Sequence, residues 1–207
     1  MADRSSVIGI IDCGISNIGS ISQSVARLGF SAKVLSEPDQ VQGVTHLILP
    51  GQGSFFEAAE RLRSLGWDSK LKRAVLEEKK YILGICLGMQ LFATVGTEGC
   101  KAAGLNLIEA EVVRFSHQGL RVPHVGWNSV FQKRDCPIFR SVNSPTDFYF
   151  SHSFVLSCES TKFVSSTCNY GQEFVSSISC DNVFGTQFHP EKSSKAGRQV
   201  LKNFCEL

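Results

Sequence analysis

Residues 81–89 read YILGICLGM, an apolar run that leads into a cysteine flanked by glycines. The unbroken apolar run YILGI (81–85) predicts a strand buried on both faces, as in a parallel sheet. Gly84 and Gly88 flank Cys86 where this strand meets the start of a predicted helix. Three interpretations fit: a buried cysteine at a tight turn, half of a metal or disulfide pair, or a nucleophile raised on a sharp elbow.

The sequence around residues 81–89 predicts strands and helices that alternate, as in an α/β fold. Short apolar runs at 7–12, 32–36 and 44–50 predict strands, and helical periodicity follows the first run and, after Gly53 and again after Trp67, the third. Strands that alternate with crossover helices predict a parallel sheet covered by helices. After about residue 105 strand-like pieces follow one another, with a last helix from about Ser194. We therefore expect one α/β domain over residues 1–207, with a central mostly parallel sheet flanked by helices and an antiparallel, strand-rich C-terminal half.

Composition narrows the class of protein. A chain of 207 residues with 43% hydrophobic content can bury one sizeable core, or a core with a small appended sheet, but not two independent domains. The net charge is +2 and no basic block occurs, so no nucleic-acid partner is expected. No apolar stretch approaches the ~20 residues that span a bilayer, and the start MADRSSVIGIID lacks a signal-peptide core. We expect no membrane partner and a cytoplasmic location.

The eight cysteines are scattered and form no C-x-x-C pair. A chain of this length does not need disulfides to fold, so most of them are expected to be buried free thiols. No histidine lies at ligand spacing from a cysteine pair, which disfavours zinc. No metal or other cofactor is predicted.

A nucleophilic cysteine requires a base, and the stretch FGTQFHPEKS (184–193) offers one. His189 ends an apolar strand, and an extended x-Pro-x segment can aim the Glu191 carboxylate back at the imidazole. The dipole of the helix after Cys86 is expected to favour its thiolate. A lone histidine at a strand end is more often structural, but its combination with the cysteine elbow favours catalysis.

A loop at 48–55, ILPGQGSF, follows another buried parallel strand. Its amides can face the same crevice as the elbow, because the carboxyl ends of parallel strands share one edge of the sheet. Alone, this loop also fits an ordinary strand-to-helix turn.

Taken in order, PGQG (50–53), GICLGMQ (84–90) and QFHPE (187–191) closely resemble the class I glutamine amidotransferases. VPHVGWN (122–128) and FYFSHSF (148–154) look like the glutaminase subunits of imidazole glycerol phosphate synthases, which act in histidine biosynthesis. The resemblance implies hydrolysis of glutamine to glutamate and ammonia, and passage of the ammonia through a tunnel to a (β/α)8-barrel cyclase subunit in a heterodimer.

The resemblance also implies a role for individual residues. It makes Cys86 the nucleophile, His189 the base and Glu191 the residue that orients the base. Oxyanion donors would come from the amide of Leu87 and from an amide of the loop Gly51, Gln52 and Gly53. Gln90 would hold the substrate, while Ser153 and Phe154 would bind its amino-acid end. The side facing the partner barrel and the ammonia route would carry Trp127, Asn128, Tyr149 and Lys192.

Three departures from the family pattern stand out. The first loop reads DCGISNIGS (12–20) where the family usually has a sequence like DYGMGNLRS, Gln52 replaces a small aliphatic residue, and Phe154 replaces tyrosine.

An alternative function keeps the chemistry in a paralogous subunit that supplies ammonia for amidination of a bacterial surface sugar. Cysteine peptidases, stress proteins with a reactive thiol and a catalytically silent subunit are weaker alternatives.

Overall fold

The computed structural model describes residues 6–115 and 119–207. Residues 1–5 and 116–118, which the predicted single domain includes, lie outside the described residues. The strands are β1 Val7–Ile11, β2 Ser31–Leu35, β3 His46–Gly51, β4 Tyr81–Cys86, β5 Val95–Gly96, β6 Ala102–Ala103, β7 Glu111–Arg114, β8 His124–Gln132, β9 Thr146–His152, β10 Phe154–Ser157, β11 Val164–Tyr170, β12 Gln172–Cys180 and β13 Val183–Thr186. The α-helices are α1 Ile18–Arg27, α2 Phe55–Ser64, α3 Trp67–Lys72, α4 Leu87–Gln90 and α5 Ser194–Cys205.

A nine-stranded sheet forms the centre of the fold, in the order β2-β1-β3-β4-β13-β12-β11-β8-β9. The pairs from β2 to β13 are parallel, and the pairs from β13 to β9 are antiparallel. The predicted mixture of parallel and antiparallel strands is therefore confirmed. One strand of the second half departs from the antiparallel pattern, because β13 pairs in parallel with β4.

A second, four-stranded sheet has the order β10-β7-β5-β6. Its strands β5 and β6 contain two residues each. Strands this short carry no periodicity that sequence analysis can detect. The composition allowed a small appended sheet, but β5 and β6 themselves were not predicted for that reason.

The strands in the middle of the main sheet are buried on both faces, as the apolar runs at 44–50 and 81–85 predict. Leu47, Leu49 and Ile82 belong to one hydrophobic cluster, while Ile48 and Leu83 belong to a second. Alternating residues of a strand point to opposite faces, so the two clusters lie on the two sides of the sheet. Within the described residues, no helix is both long enough and apolar enough to cross a membrane.

Candidate active site

Cys86 lies at the junction of β4 and α4, on the elbow that the sequence predicts. Its backbone has φ 54° and ψ −112°, a conformation that costs a residue with a side chain ~1–3 kcal/mol. The helix that follows, Leu87–Gln90, has only four residues. The predicted helix begins directly after Cys86, but its dipole is small because few peptide dipoles are aligned behind the cysteine.

Three glycines let the backbone pack closely around this elbow. A Cβ on Gly88 would lie 1.8 Å from the carbonyl oxygen of Leu49, and one on Gly84 would lie 2.6 Å from the amide nitrogen of Met89. Gly51 is the register partner of Cys86 across β3 and β4. A Cβ on Gly51 would lie 2.9 Å from the Gly88 nitrogen. The elbow and the end of β3 can approach each other only because these positions lack side chains.

His189 and Glu191 form a buried hydrogen-bonded pair. Nδ1 of His189 lies 2.9 Å from Oε1 of Glu191, and each side chain is only 4% exposed. The predicted contact is present, but the segment is not extended. Pro190–Lys192 is a 3-10 helix, and its tight turn, rather than a straight x-Pro-x segment, brings the carboxylate back to the ring.

The pKa of His189 reflects two opposing influences. Burial, the largest of them, lowers this pKa, but hydrogen bonds and charge interactions with Cys86 and Glu191 outweigh burial and raise the pKa to about 9. Glu191 binds Nδ1, so the other ring nitrogen is the one that faces the thiol. The imidazolium is thus stabilised between a sulfur and a carboxylate, as a Cys-His-Glu arrangement requires.

Ser193 fixes the backbone of His189, and sequence analysis missed it. The Ser193 hydroxyl donates to the His189 carbonyl at 2.6 Å and accepts the Tyr149 N–H at 2.9 Å. The His189 N–H in turn donates to the Tyr149 carbonyl at 2.9 Å. This fully buried serine ties the 3-10 turn to β9. A serine after H-P-E-K gives no signal of such a role, because its partner Tyr149 is distant in sequence.

A small cavity lies behind the imidazole. Its lining includes Ser16, Gly51, Gln52, His189 and Glu191. Among the described residues, the Ser16 hydroxyl and the second carboxylate oxygen of Glu191 are buried without a hydrogen-bond partner. The departure of the first loop from the family pattern therefore puts a hydroxyl group into the same cavity as His189 and Glu191.

A larger cavity of about 330 Å³ opens in front of Cys86. This volume lies within the range of small-molecule sites. Its lining residues are Gln52, Gly53, Cys86, Leu87, Gln90, Glu98, Pro123, Ser151, His152, Ser153, Phe154, His189 and Lys192. The structure thus gathers most of the predicted nucleophile, oxyanion and substrate residues around one space. Glu98 was missed, because a lone glutamate in a turn gives no sequence signal.

The predicted oxyanion loop is not aligned for that role in this conformation. The Gln52 N–H donates to the Ile15 carbonyl at 2.8 Å, and Gly53 has φ +95°. Gly51 belongs to β3 and does not line the larger cavity. The Gln52 N–H, one of the predicted oxyanion donors, is therefore already bonded to the first loop and does not point to the site of the oxyanion.

Gln90 and Phe154, which both line the larger cavity, contact each other. The Gln90 side-chain amide donates to the Phe154 carbonyl at 2.8 Å. Nδ1 of His152 lies 3.0 Å from the same oxygen, and Nε2 of His152 lies 2.9 Å from Nδ1 of His124. Burial lowers the pKa of His152 to about 3 and that of His124 to about 4. Two neutral histidines thus lie against the backbone at Phe154, one of the predicted substrate residues, where β10 begins.

The residues predicted to face a partner do not all share one surface. Trp127 and Tyr149 are register partners and stack edge-to-face, with ring centroids 6.2 Å apart. The ammonium of Lys192 lies 5.7 Å from the Tyr149 ring centre. Asn128 points to the opposite face, since neighbouring strand residues alternate, and its amide donates to the Asn169 carbonyl at 2.9 Å. The structure therefore groups Trp127, Tyr149 and Lys192 but separates Asn128 from them.

In a comparison with protein families, residues 9–207 match the family described as glutamine amidotransferase class-I. The chain belongs to this family. The match includes the elbow, the His189–Glu191 pair and every residue that lines the larger cavity. The class I glutamine amidotransferase fold therefore accounts for almost the entire sequence.

Relatives of this class I glutamine amidotransferase are similar over nearly their whole length. The chain is 43% identical to imidazole glycerol phosphate synthase subunit HisH 1 of Campylobacter jejuni subsp. jejuni serotype O:23/36 (strain 81-176), covering 97% of this chain and 100% of the relative. It is 45% identical to HisH 1 of Prochlorococcus marinus (strain MIT 9313), covering 96% of each. A solved structure of PurLQS from Thermotoga maritima has a TM-score of 0.78 at 18% identity, covering 98% of both chains, and so shares the fold.

Proposed function

We propose that this class I glutamine amidotransferase hydrolyses glutamine with a Cys86-His189-Glu191 triad and supplies the ammonia to a cyclase subunit that makes imidazole glycerol phosphate in histidine biosynthesis. One observation is the main support for the proposed chemistry. Cys86, on a strained elbow, shares a cavity with His189, and the buried carboxylate of Glu191 orients His189. The names of relatives with 43% and 45% identity support the pathway. The family match over residues 9–207 supports a single glutaminase domain for residues 1–207.

In the proposed mechanism, the Cys86 thiolate attacks the side-chain carbonyl carbon of glutamine. The carbonyl oxygen becomes an oxyanion, which the Leu87 amide and an amide of the Gln52–Gly53 segment stabilise. His189 then donates its proton to the amide nitrogen, so that the C–N bond breaks and ammonia leaves behind a thioester. Water attacks the thioester with His189 as base, and the thiolate is regenerated as glutamate departs.

Charges in the cavity fit the amino-acid end of the substrate. Glu98 and Lys192 both line the cavity, so one negative and one positive group are available to a zwitterion. The Glu98 carboxylate is held in place because it accepts the Phe55 N–H at the start of α2, at 2.7 Å. We therefore assign Glu98 to the α-ammonium of glutamine. It shares the cavity with Ser153 and Phe154, which the family resemblance assigns to the same end.

An exposed apolar face supports a protein partner. Val125, Trp127 and Phe131 alternate along β8 and are 56%, 53% and 45% exposed. Side chains at alternating positions lie on one face of a strand, and an exposed apolar group of this kind marks an interaction surface. Trp127 contacts Tyr149, which contacts Lys192 at the cavity. We place the (β/α)8-barrel cyclase on this face, with the ammonia route passing Tyr149 and Lys192.

The test uses the complex with the cyclase subunit and compares two nitrogen sources. In the His189→Ala complex, imidazole glycerol phosphate formation from glutamine should be lost, while formation from added ammonium should remain at the wild-type rate. The ammonium reaction serves as the internal control for assembly. Glutamine-dependent synthesis that survives in His189→Ala would contradict the proposed triad.

A pull-down from the native host distinguishes histidine biosynthesis from the surface-sugar pathway. Recovery of a surface-sugar enzyme instead of the cyclase would favour the paralogous function.

A further inference from the structure

Gln187 is a fully buried side chain that directly contacts Cys86, and the proposed triad gives it no role. It follows β13 in sequence, and its main-chain N–H donates to the Ser176 carbonyl at 2.9 Å. Its side-chain Nε2 lies 3.7 Å from the sulfur of Cys86. None of its surface is exposed, so solvent cannot satisfy its amide.

The orientation of this amide is determined by its neighbours. The Phe154 carbonyl can only accept, so the group of Gln90 that faces it at 2.8 Å must be the NH₂. The same NH₂ of Gln90 donates to Oε1 of Gln187 at 3.0 Å. With its oxygen committed to Gln90, Gln187 must turn its own NH₂ toward the sulfur. A main-chain carbonyl thus fixes the direction of the whole chain of hydrogen bonds.

Besides the imidazole of His189, two polar groups face the sulfur, and they favour opposite protonation states. The Ser151 carbonyl, at 3.7 Å, can accept a hydrogen bond from the neutral thiol but repels a thiolate. The NH₂ of Gln187 can only donate, so it stabilises the thiolate. The four-residue helix α4 offers little dipole for the same purpose.

We propose that Gln187 is a catalytic residue that donates a hydrogen bond to the Cys86 thiolate and links it to Gln90, the predicted substrate-binding residue. This inference rests on the proposed function, in which Cys86 is the nucleophile. Gln187 holds the sulfur in its reactive form between turnovers, while His189 moves protons. Because Gln187 also accepts from Gln90, the same side chain keeps the Gln90 NH₂ in position in the cavity.

The experiment measures the rate at which Cys86 reacts with iodoacetamide as a function of pH, read by mass spectrometry of the peptide that contains Cys86. The thiolate is the reactive form, so the midpoint of this profile reports how strongly the surroundings of Cys86, His189 included, stabilise the thiolate. Loss of one hydrogen bond to a charged group should raise the midpoint by about one pH unit or more. Gln187→Met removes the donor at similar volume, and Gln187→Glu replaces the donor with an acceptor. Both variants should raise the midpoint, with the larger shift in Gln187→Glu.

Asn203→Leu is the matched control. Asn203 is 1% exposed and donates to the Ile138 and Arg140 carbonyls, so its loss also removes a buried amide, and the Cys86 midpoint should not move. An unchanged midpoint in both Gln187 variants, with circular dichroism that matches wild type, would overturn the inference. The assay does not involve glutamine, so this failure is distinct from a failure of the proposed glutaminase function, which glutamate release by the wild-type complex tests.

A measurement on the wild-type chain covers the case in which both variants unfold. The side-chain amide protons of Gln187 should shift with pH in NMR spectra at the midpoint of Cys86 alkylation. They should stay in place in Cys86→Ala. Signals that do not respond to pH in the wild-type chain would overturn the inference without any Gln187 variant.

Discussion

Gly88 packs directly against Leu49, so closely that an added Cβ would lie 1.8 Å from the Leu49 carbonyl oxygen. The atom that it would meet is main chain in the centre of the sheet, which cannot move aside as a flexible side chain can. Gly88→Ala should therefore lower the free energy of unfolding by ~3 kcal/mol or more. Urea unfolding measures this loss.

The matched control for this substitution is Gly43→Ala. No heavy atom lies within 4 Å of a Cβ at Gly43, and its φ is not in the left-handed region. The unfolding free energy should stay within ~0.5 kcal/mol of wild type. A Gly88→Ala protein as stable as Gly43→Ala would mean that the elbow does not require this close approach.

Cys86→Ala should abolish glutamine hydrolysis in the assembled complex, by roughly 10⁴-fold or more, since no other group supplies the nucleophile. The fold should persist, because the side chain is small. Glutamate release measures the effect, and Cys100→Ser, which alters an exposed thiol, should keep wild-type activity. A diazo-ketone analogue of glutamine should label Cys86 among the eight cysteines. A label mapped to another cysteine would contradict the assignment of the nucleophile.

Glu191→Gln should change how stability depends on pH. Protonated His189 is stabilised in the folded state, where its pKa is about 9, above the unfolded value of ~6.5. This stabilisation is complete below about pH 6.5 and is lost as pH rises through 9. The variant loses the carboxylate, so the pKa of His189 should fall.

Urea unfolding from pH 6 to 9 measures this effect. The difference in unfolding free energy between wild type and Glu191→Gln should be largest near pH 6 and should shrink toward pH 9. Glu57→Gln, at an exposed position of α2, should give a difference that does not vary with pH in this range. A constant difference for Glu191→Gln would rule out the ion pair as the cause.

The isolated chain should hydrolyse glutamine slowly, because Ile15 holds the Gln52 N–H at 2.8 Å. A missing oxyanion donor costs ~10²–10³ in rate. Addition of the cyclase subunit with its acceptor ligand should raise glutamate release by a factor of this order. The bond uses main-chain atoms, so Gln52→Val should keep the low basal rate. An isolated chain as active as the full complex would refute this regulation.

Short motifs predicted the candidate site well where its contacts are local. The elbow at Cys86 and the pairing of His189 with Glu191 depend on residues within a few positions of one another, and both are present in the structure. The details of backbone shape were harder to predict. The 3-10 turn at Pro190–Lys192 and the short helix after Cys86 depend on tertiary contacts that no local pattern encodes.

Contacts between distant parts of the sequence could not be predicted. Gln187 and Cys86 are separated by 101 positions, and Gln187 and Gln90 by 97. Glu98 binds the start of α2 across 43 positions. Such pairs give no periodicity or spacing signal. Asn128 was grouped with Trp127 from the family resemblance, although alternation along a strand sends neighbouring side chains to opposite faces.

The last strand in the sequence, β13, lies near the middle of the main sheet, between β4 and β12. During translation, Cys86 leaves the ribosome after its neighbour Gly51 on β3 but long before β13, Gln187 and His189. Until Val183–Thr186 are synthesised, β4 has one edge uncovered, and the nucleophile has neither Gln187 nor His189 beside it. On the proposed mechanism, a nascent chain therefore consumes no glutamine, and a chain that ends before β13 can never do so.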